Sequence, residues 1–245
     1  IAEPTPHTLA DKWILHELSQ ATKKIAELID TYQFSPAAEE LRDFTWNKLA
    51  DWYLEIAKAE GVSEKQEMLN YILNTILRMW HPYIPFVTEA IWQEVYGEGQ
   101  LIVEQWPEGD YSMTKNEFSQ MQTVQDVITA LRGLKSTYRI EPTVFPDVYL
   151  QKKKSDEYAA LFGAMNGSGE CSLSRVGNVT FTSVAPEVQT VSTVVGSAEV
   201  HVVVEGAIDV EKEKARIEKE IAHVEPYVAT QKKKLENKGF VDNAP

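Results

Sequence analysis

The sequence has little cysteine, fewer basic than acidic residues, and no long hydrophobic run. Cys171 is the only cysteine among 245 residues, which excludes an internal disulfide and a cysteine-based zinc site. The five histidines lie far apart and show no metal-ligand spacing. No apolar stretch has the length of a membrane span, and the N-terminus lacks the pattern of a secretory signal. These absences predict a cytoplasmic protein with no metal site and no membrane span.

Charge is unevenly distributed along the chain. The formal net charge is −13, from 24 basic and 37 acidic residues. Residues 1–112 carry 8 basic and 19 acidic side chains, residues 113–208 carry 8 and 10, and residues 209–245 carry 8 and 8. A nonspecific nucleic-acid binder usually shows an excess of basic residues. The first part of the chain is therefore not expected to bind phosphates through bulk charge.

The spacing of apolar residues in 1–112 predicts a helical bundle. The segment Asp43–Lys58 carries aromatic bulk on two stripes of helical spacing, and a helix that is apolar over such a wide arc is typical of a buried bundle member. We therefore expect its aromatic side chains, Trp46 included, to fill the core. The predicted helix starts are a cap at Thr8 or Asp11, a cap at Ser35 followed by Pro36, and a capping box of Ser63 with Gln66.

Residues 113–208 predict a small α/β unit. A helical period runs from Lys115 to Arg139, and the segments DVYLQ, NVTFTSV, TVSTVV and AEVHVVVE then favour short strands. The intervening segment SDEYAALFGAM favours another helix.

Residues 209–245 predict one long helix with a coiled-coil seam. Apolar residues recur at the period of about 3.5 residues that coiled coils use. The predicted seam positions are Val210, Lys214, Ile217, Ile221, Val224, Val228, Gln231 and Leu235. Pro226 lies within this pattern and predicts either a kink or a break. The seam has no second helix in the sequence to pair with, so self-association is expected.

Several segments together resemble the valyl-tRNA synthetases. YQFSPAAEELRDFTWNKLADWYLEIAK and HPYIPFVTEAIW are similar to the family's anticodon-binding helices, and VITALRGLKSTYRIEP to the region after them. IDVEKEKARIEKEIAHVEPYVATQKKKLENKGFVDNAP resembles the start of its coiled-coil arm. The resemblance implies a mainly α fold with three parts: an anticodon-binding bundle at 1–112, a small α/β subdomain at 113–208, and the first helix and turn of a truncated coiled-coil arm at 209–245.

The resemblance also implies what this chain does not do itself. The family's His-x-Gly-His and Lys-Met-Ser-Lys-Ser signatures do not occur in the sequence. ATP and Mg²⁺ are therefore expected at a catalytic domain outside these residues, and no catalytic residue is assigned here. Together with Ile1 as first residue, this favours a C-terminal fragment of a monomeric, cytoplasmic valine–tRNA ligase whose partner is the tRNA for valine.

Three groups of basic residues are candidates for tRNA contact under this resemblance. They are Arg42, Lys48, Lys58 and Arg78 on the bundle, Arg132, Lys135 and Arg139 on one helix face, and Lys232, Lys233, Lys234 and Lys238 at the end of the arm. Each could instead be a solvated or ion-paired surface charge. Two alternatives for the chain remain open: a non-catalytic scaffold that pairs through its coiled-coil helix, and the equivalent region of a related enzyme such as the isoleucine one.

Overall fold

A computed structural model describes residues 1–97, 99–151, 173–196, 198–206 and 210–236, the last range with side chains for residues 214–232. The helices are α1 (Leu9–Asp30), α2 (Phe34–Asp43), α3 (Leu54–Glu60), α4 (Gln66–Trp80), α5 (Pro85–Tyr96), α6 (Lys115–Thr137) and α7 (Val210–Glu236). A π-helical segment, Phe44–Tyr53, joins α2 to α3, and short 3₁₀ turns occur at Val62–Lys65 and Leu101–Val103. The strands are β1 (Val148–Gln151), β2 (Val179–Thr182), β3 (Thr190–Val195) and β4 (Ala198–Val203).

The predicted fold class, mainly helical with a small α/β part, is confirmed. The four strands form one sheet in the order β2-β1-β4-β3, in which β1 pairs in parallel with β2 and antiparallel with β4. Strand β3 completes the sheet by pairing antiparallel with β4. The helix predicted in SDEYAALFGAM lies outside the described residues.

One apolar core runs from the bundle into the sheet. Helix α6 contacts both α1 and the strands β3 and β4. Ile14 of α1, Ile128 of α6 and Val200 of β4 are each fully buried in the same cluster. Side chains on the two sides of residue 112 therefore share a core, while the domain boundaries at 112 and 208 stay predictions.

The starts of the helices show how much of the capping was predictable. Thr8 caps α1, because its Oγ1 accepts a hydrogen bond from the Asp11 N–H at 3.3 Å and its own N–H donates to Asp11 Oδ2 at 3.1 Å. The other two predicted caps are wrong. Helix α2 starts one residue before Ser35, directly after the turn that ends α1, and Ser63 lies inside a 3₁₀ turn rather than at the start of α4.

The aromatic segment Phe44–Tyr53 is a π-helix rather than the expected α-helix. The N–H of Leu54 donates to the carbonyl of Leu49, which is the i→i+5 pattern of this helix type. Phe44, Leu49 and Tyr53 are all buried, although positions five apart would lie on different faces of an α-helix. The wider turn aligns them toward the core. Trp46, expected in the core, is instead 62% exposed.

A buried ion cluster ties this π-helix to the start of α1. The amine of Lys65 lies 2.8 Å from Asp11 Oδ1 and 2.6 Å from Glu60 Oε2, and the Tyr53 hydroxyl donates to Asp11 Oδ1 at 2.8 Å. Asp11 and Lys65 are 2% and 4% exposed. A buried charge is tolerated only when it is paired and hydrogen-bonded. The cluster therefore fixes how these elements meet.

The titration of the cluster follows from the same contacts. Burial alone would raise the pKa of Asp11, but the hydrogen bonds from Lys65 and Tyr53 outweigh it and lower the pKa below its usual 3.8. Burial alone would lower the pKa of Lys65, and its bonds to Asp11 and Glu60 raise it instead. The stability that Asp11 contributes is thus present above pH 3.8 and is lost as the pH falls through the lower folded-state pKa.

Lys65→Met should lower the free energy of unfolding by about 3–5 kcal/mol, because it leaves the carboxylate of Asp11 buried without its cation. Urea unfolding at neutral pH measures the loss, which should shrink as acid protonates Asp11. The matched control is Lys58→Met, whose exposed pair with Glu55 should contribute less than about 1 kcal/mol. Equal losses in the two variants would refute the role of the cluster.

Candidate nucleic-acid interface

Exposed aromatic side chains gather at two neighbouring helix junctions of the bundle, which we call the aromatic turns: Thr31–Phe34, from the end of α1 to the first residue of α2, and His81–Phe86, from the end of α4 into the first turn of α5. Tyr32 is 82% exposed, Phe34 53% and Phe86 90%. The Tyr83 hydroxyl donates to the Phe34 carbonyl at 3.0 Å and so joins the two turns. Aromatic rings held open to solvent are the usual platform on which single-stranded bases stack.

Tyr32 occupies a backbone position that normally selects glycine. Its N–H donates to the Ile29 carbonyl at 2.9 Å, and the N–H of Gln33 donates to the Leu28 carbonyl at 2.7 Å. This pair of bonds is the Schellman motif, in which the residue at the left-handed position, here Tyr32 with φ 60°, is most often glycine. A side chain there costs on the order of 1 kcal/mol. The ring of Tyr32 is not packed in the core, so core packing does not offset this strain.

The four basic residues predicted on the bundle differ in their surroundings. Lys48 pairs with Glu17 at 2.7 Å, and Lys58 pairs with Glu55 at 2.5 Å. Arg78 donates to the carbonyls of Asn74 and Gln105. Arg42 is exposed and has no ion-pair partner among the described residues. It lies one helical turn before the exposed Trp46.

The prediction that Arg132, Lys135 and Arg139 share one helix face is wrong, because α6 ends at Thr137 and Arg139 lies beyond it. Arg132 Nε donates to the Leu173 carbonyl at 3.1 Å, and its guanidinium lies over the Trp52 ring and 3.8 Å from Asp51. Lys135 is 8% exposed, and its amine donates to the carbonyls of Val144 and Arg175 at 3.0 and 2.6 Å. Burial, and secondarily the nearby Arg175, lower the pKa of Lys135.

The side chain of Arg139, the third of these residues, makes no such hydrogen bond to the described residues. It is exposed and sits at the left-handed position of a second Schellman motif, with φ 50°, at the end of α6. Its N–H donates to the Ser136 carbonyl and that of Ile140 to the Lys135 carbonyl. The tRNA contacts predicted for Arg132, Lys135 and Arg139 stay predictions, but the structure brings only Arg139 to the surface without a described partner.

The lysines predicted on the arm lie at the end of α7. Lys232 is exposed, Lys233 and Lys234 lie within the helix but their side chains are outside the described set, and Lys238 lies beyond it. Pro226 neither breaks nor ends α7, which continues on both sides of it. On the seam, Ile217, Ile221 and Val224 are 40–51% exposed. Pairing of this seam in a coiled coil stays a prediction.

The described residues offer no other obvious chemistry. In the ranges given above, no group of three or more histidine, cysteine, aspartate or glutamate residues is placed to hold a metal ion. None of the described helices combines the length and hydropathy that crossing a membrane requires. His81, at the end of α4, bonds through Nδ1 to the Thr88 hydroxyl at 2.8 Å.

Sequence reasoning placed the RNA contacts of the bundle on basic residues and missed the exposed aromatics. Phe86 stands in the segment HPYIPFVTEAIW, but an aromatic residue beside apolar neighbours normally indicates core. The available indication was Pro85, because proline favours the first position of a helix and so places Phe86 at a helix start beside the turn. Arg175 was also missed, since a single arginine among strands carries no pattern.

Comparison with known proteins agrees with this geometry. Residues 11–150 match the family model described as the anticodon-binding domain of tRNA ligase, and residues 209–245 match the valyl tRNA synthetase tRNA binding arm. The valine–tRNA ligases of Staphylococcus carnosus, Listeria innocua and Bacillus subtilis are 35%, 32% and 31% identical to this chain. Each alignment covers 97% of this chain and 28% of the relative, so the chain spans little more than a quarter of their length.

Lys135→Met should lower the free energy of unfolding by about 2 kcal/mol, because two carbonyls lose their buried charged donor. Chemical denaturation measures the loss. Arg139→Gln provides the matched control on the same helix end, since an exposed side chain without partners should change stability by less than about 0.5 kcal/mol. A Lys135→Met loss no larger than that of the control would show that the amine does not brace these loops.

Proposed function

Because the chain belongs to the family of anticodon-binding domains of tRNA ligases, we propose that it is the tRNA-binding portion of a valine–tRNA ligase. The match extends over more than half of the chain, and the arm match adds its C-terminal end. The observation that carries the proposal is the pair of aromatic turns, which gives a bundle of this family an exposed surface suited to unpaired bases.

The proposed contact of the bundle is the anticodon loop, held by stacking. Tyr32, Phe34 and Phe86 each offer a ring face or edge to solvent, and Tyr83 fixes the two turns relative to each other. Stacking on an aromatic side chain contributes about 1–3 kcal/mol per base. It needs no net positive charge, so the acidic balance of residues 1–112 is compatible with it. Arg42, next to Trp46, is the best placed of the four predicted bundle cations for an accompanying phosphate contact.

The arm would contribute a second contact, to the outer corner of the folded tRNA. Lys232 is exposed near the end of α7, and Lys233, Lys234 and Lys238 follow it in the sequence. Double-stranded RNA is recognised largely by shape and by its phosphates. A lysine-rich helix end fits that mode of binding. Together the two contacts would position the acceptor end of the tRNA for a reaction elsewhere in the ligase.

The chemistry of joining valine to tRNA would take place outside these residues. ATP and Mg²⁺ would be used by an adenylate-forming domain, whose His-x-Gly-His and Lys-Met-Ser-Lys-Ser signatures this sequence does not contain. The residues here supply binding and positioning alone. We further propose that the parent ligase is a cytoplasmic monomer.

One observation favours a second candidate function, a scaffold that pairs through α7. Val224 and Val228 are 45% and 42% exposed on its apolar seam. This reading predicts self-association of the chain and no preference for one RNA.

The two candidate functions can be distinguished by titrating the chain with an RNA hairpin that carries the valine anticodon stem and loop. Phe86→Ser should weaken hairpin binding roughly 5- to 100-fold, the equivalent of one lost stacking partner.

Tyr32→Gly should also weaken hairpin binding, and it should raise the free energy of unfolding by about 1 kcal/mol, because glycine relieves the left-handed strain. Misfolding could not explain a loss of binding in a variant that is more stable than the unaltered chain.

The control is Val194→Ser, which removes an apolar side chain that is 70% exposed on β3 and should leave hairpin binding unchanged. A hairpin with the same stem and a replaced loop should bind more weakly than the valine hairpin. Equal binding of both hairpins, together with tight self-association in sedimentation, would replace the proposed function with the scaffold.

A further inference from the structure

A cleft of 540 Å³ lies between the C-terminal end of α6 and the loop that leads to β2. Three arginines line it from both walls: Arg132 on α6, Arg139 just beyond the end of α6, and Arg175 on the loop. The lining also includes Lys135 and a single acidic residue, Glu141. In a chain of net charge −13, this is a local reversal of sign.

The two walls are fastened to each other by side chains that are not available to a ligand. Arg132 and Lys135 hold the backbone carbonyls of Leu173 and Arg175. Gly177 allows the loop to press against the segment before β1, because a Cβ there would lie 2.6 Å from Asp147 Oδ1 and 2.8 Å from the Phe145 carbonyl. Arg175 is thus presented from a fixed loop rather than a free one.

Arg139 and Arg175 share two unusual properties. Both have φ 50°, in the left-handed region that non-glycine residues seldom occupy. Both are exposed, and neither guanidinium has an ion-pair or hydrogen-bond partner among the described residues. Strained residues that persist without a packing reason are concentrated at binding sites. Glycine would fit either backbone position better, so the side chains themselves require an explanation.

We propose that Arg139 and Arg175 clamp a segment of RNA backbone that crosses this cleft, each guanidinium on its own phosphodiester, a contact that rests on the proposed function. Guanidinium groups bind phosphate oxygens through two parallel N–H bonds. The cleft opens to solvent and can therefore admit a backbone phosphate. Arg132 and Lys135 are positioning residues: they fix the loop that carries Arg175, and their positive charge adds to the local potential.

The test measures binding of a complete valine tRNA transcript to the chain across a range of salt concentrations. Each phosphate contact adds roughly 0.7 to 0.9 to the slope of log affinity against log salt. Arg139→Gly and Arg175→Gly should each lower the slope by about that amount, and the double variant by about the sum. Both single variants should keep or raise the melting temperature, because each removes backbone strain.

Lys24→Gln is the matched control, since Lys24 is an exposed cation on α1 that lies outside the cleft. It should leave the slope unchanged. Arg139→Lys should keep the slope but bind more weakly, because it retains the charge without the two-pronged geometry.

Three outcomes would overturn the inference, and they differ from one another. Unchanged slopes in both glycine variants, with the effects of Phe86→Ser intact, would remove the clamp and leave the proposed function standing. A slope decrease in Lys24→Gln equal to that of the arginine variants would show diffuse attraction instead of a site. Absence of any tRNA binding by the unaltered chain would remove the clamp and the proposed function together.

Discussion

The amine of Lys65 holds the bundle together at the point where four of its segments meet. It contacts the carboxylates of Asp11 at the start of α1 and Glu60 at the end of α3, while Asp11 also accepts the hydroxyl of Tyr53 at the end of the π-helix. Removing Lys65 would leave both carboxylates in the interior without their cation, so the whole cluster depends on this one amine. The 3₁₀ turn that carries Lys65 inward sets the start of α4, and α4 leads to the second aromatic turn.

The ends of two helices carry the side chains that we assign to RNA contact. At α1 and at α6 the chain leaves the helix through a Schellman motif, and at each the left-handed position holds a large side chain, Tyr32 or Arg139, in place of glycine. A motif that rigidly fixes its backbone also fixes the direction of the side chain attached to it. The strained backbone position therefore holds a ring toward solvent in one motif and a guanidinium toward solvent in the other.

Periodicity in the sequence predicted the helices, the four strands and the cap of α1, because those features depend on nearby residues. It did not predict the π-helix, whose register is set by burial of Phe44, Leu49 and Tyr53 against distant elements. Lys65 looked like any surface lysine, since its partners Asp11 and Glu60 come together only in the fold. Charge pattern placed Lys135 on a binding stripe, but its amine is buried against the carbonyls of Val144 and Arg175, in the loops before β1 and β2. The match to tRNA-binding families could be predicted from the sequence segments that resemble them. The sequence did not predict which side chains are exposed to solvent.

Under the proposed function, the acidic bundle and the basic cleft would divide the recognition of RNA into two kinds of interaction. The bundle attracts no phosphate through its total charge, so binding there would depend on unpaired bases that reach Tyr32, Phe34 and Phe86. Binding in the cleft would depend on charge and would be indifferent to sequence. A duplex would satisfy only the cleft, because it has no unpaired bases to stack on the bundle and its phosphates would meet repulsion there. Net negative charge would thereby work against nonspecific binding, and a folded RNA that places an unpaired loop on the bundle and a backbone segment in the cleft would satisfy both contacts together.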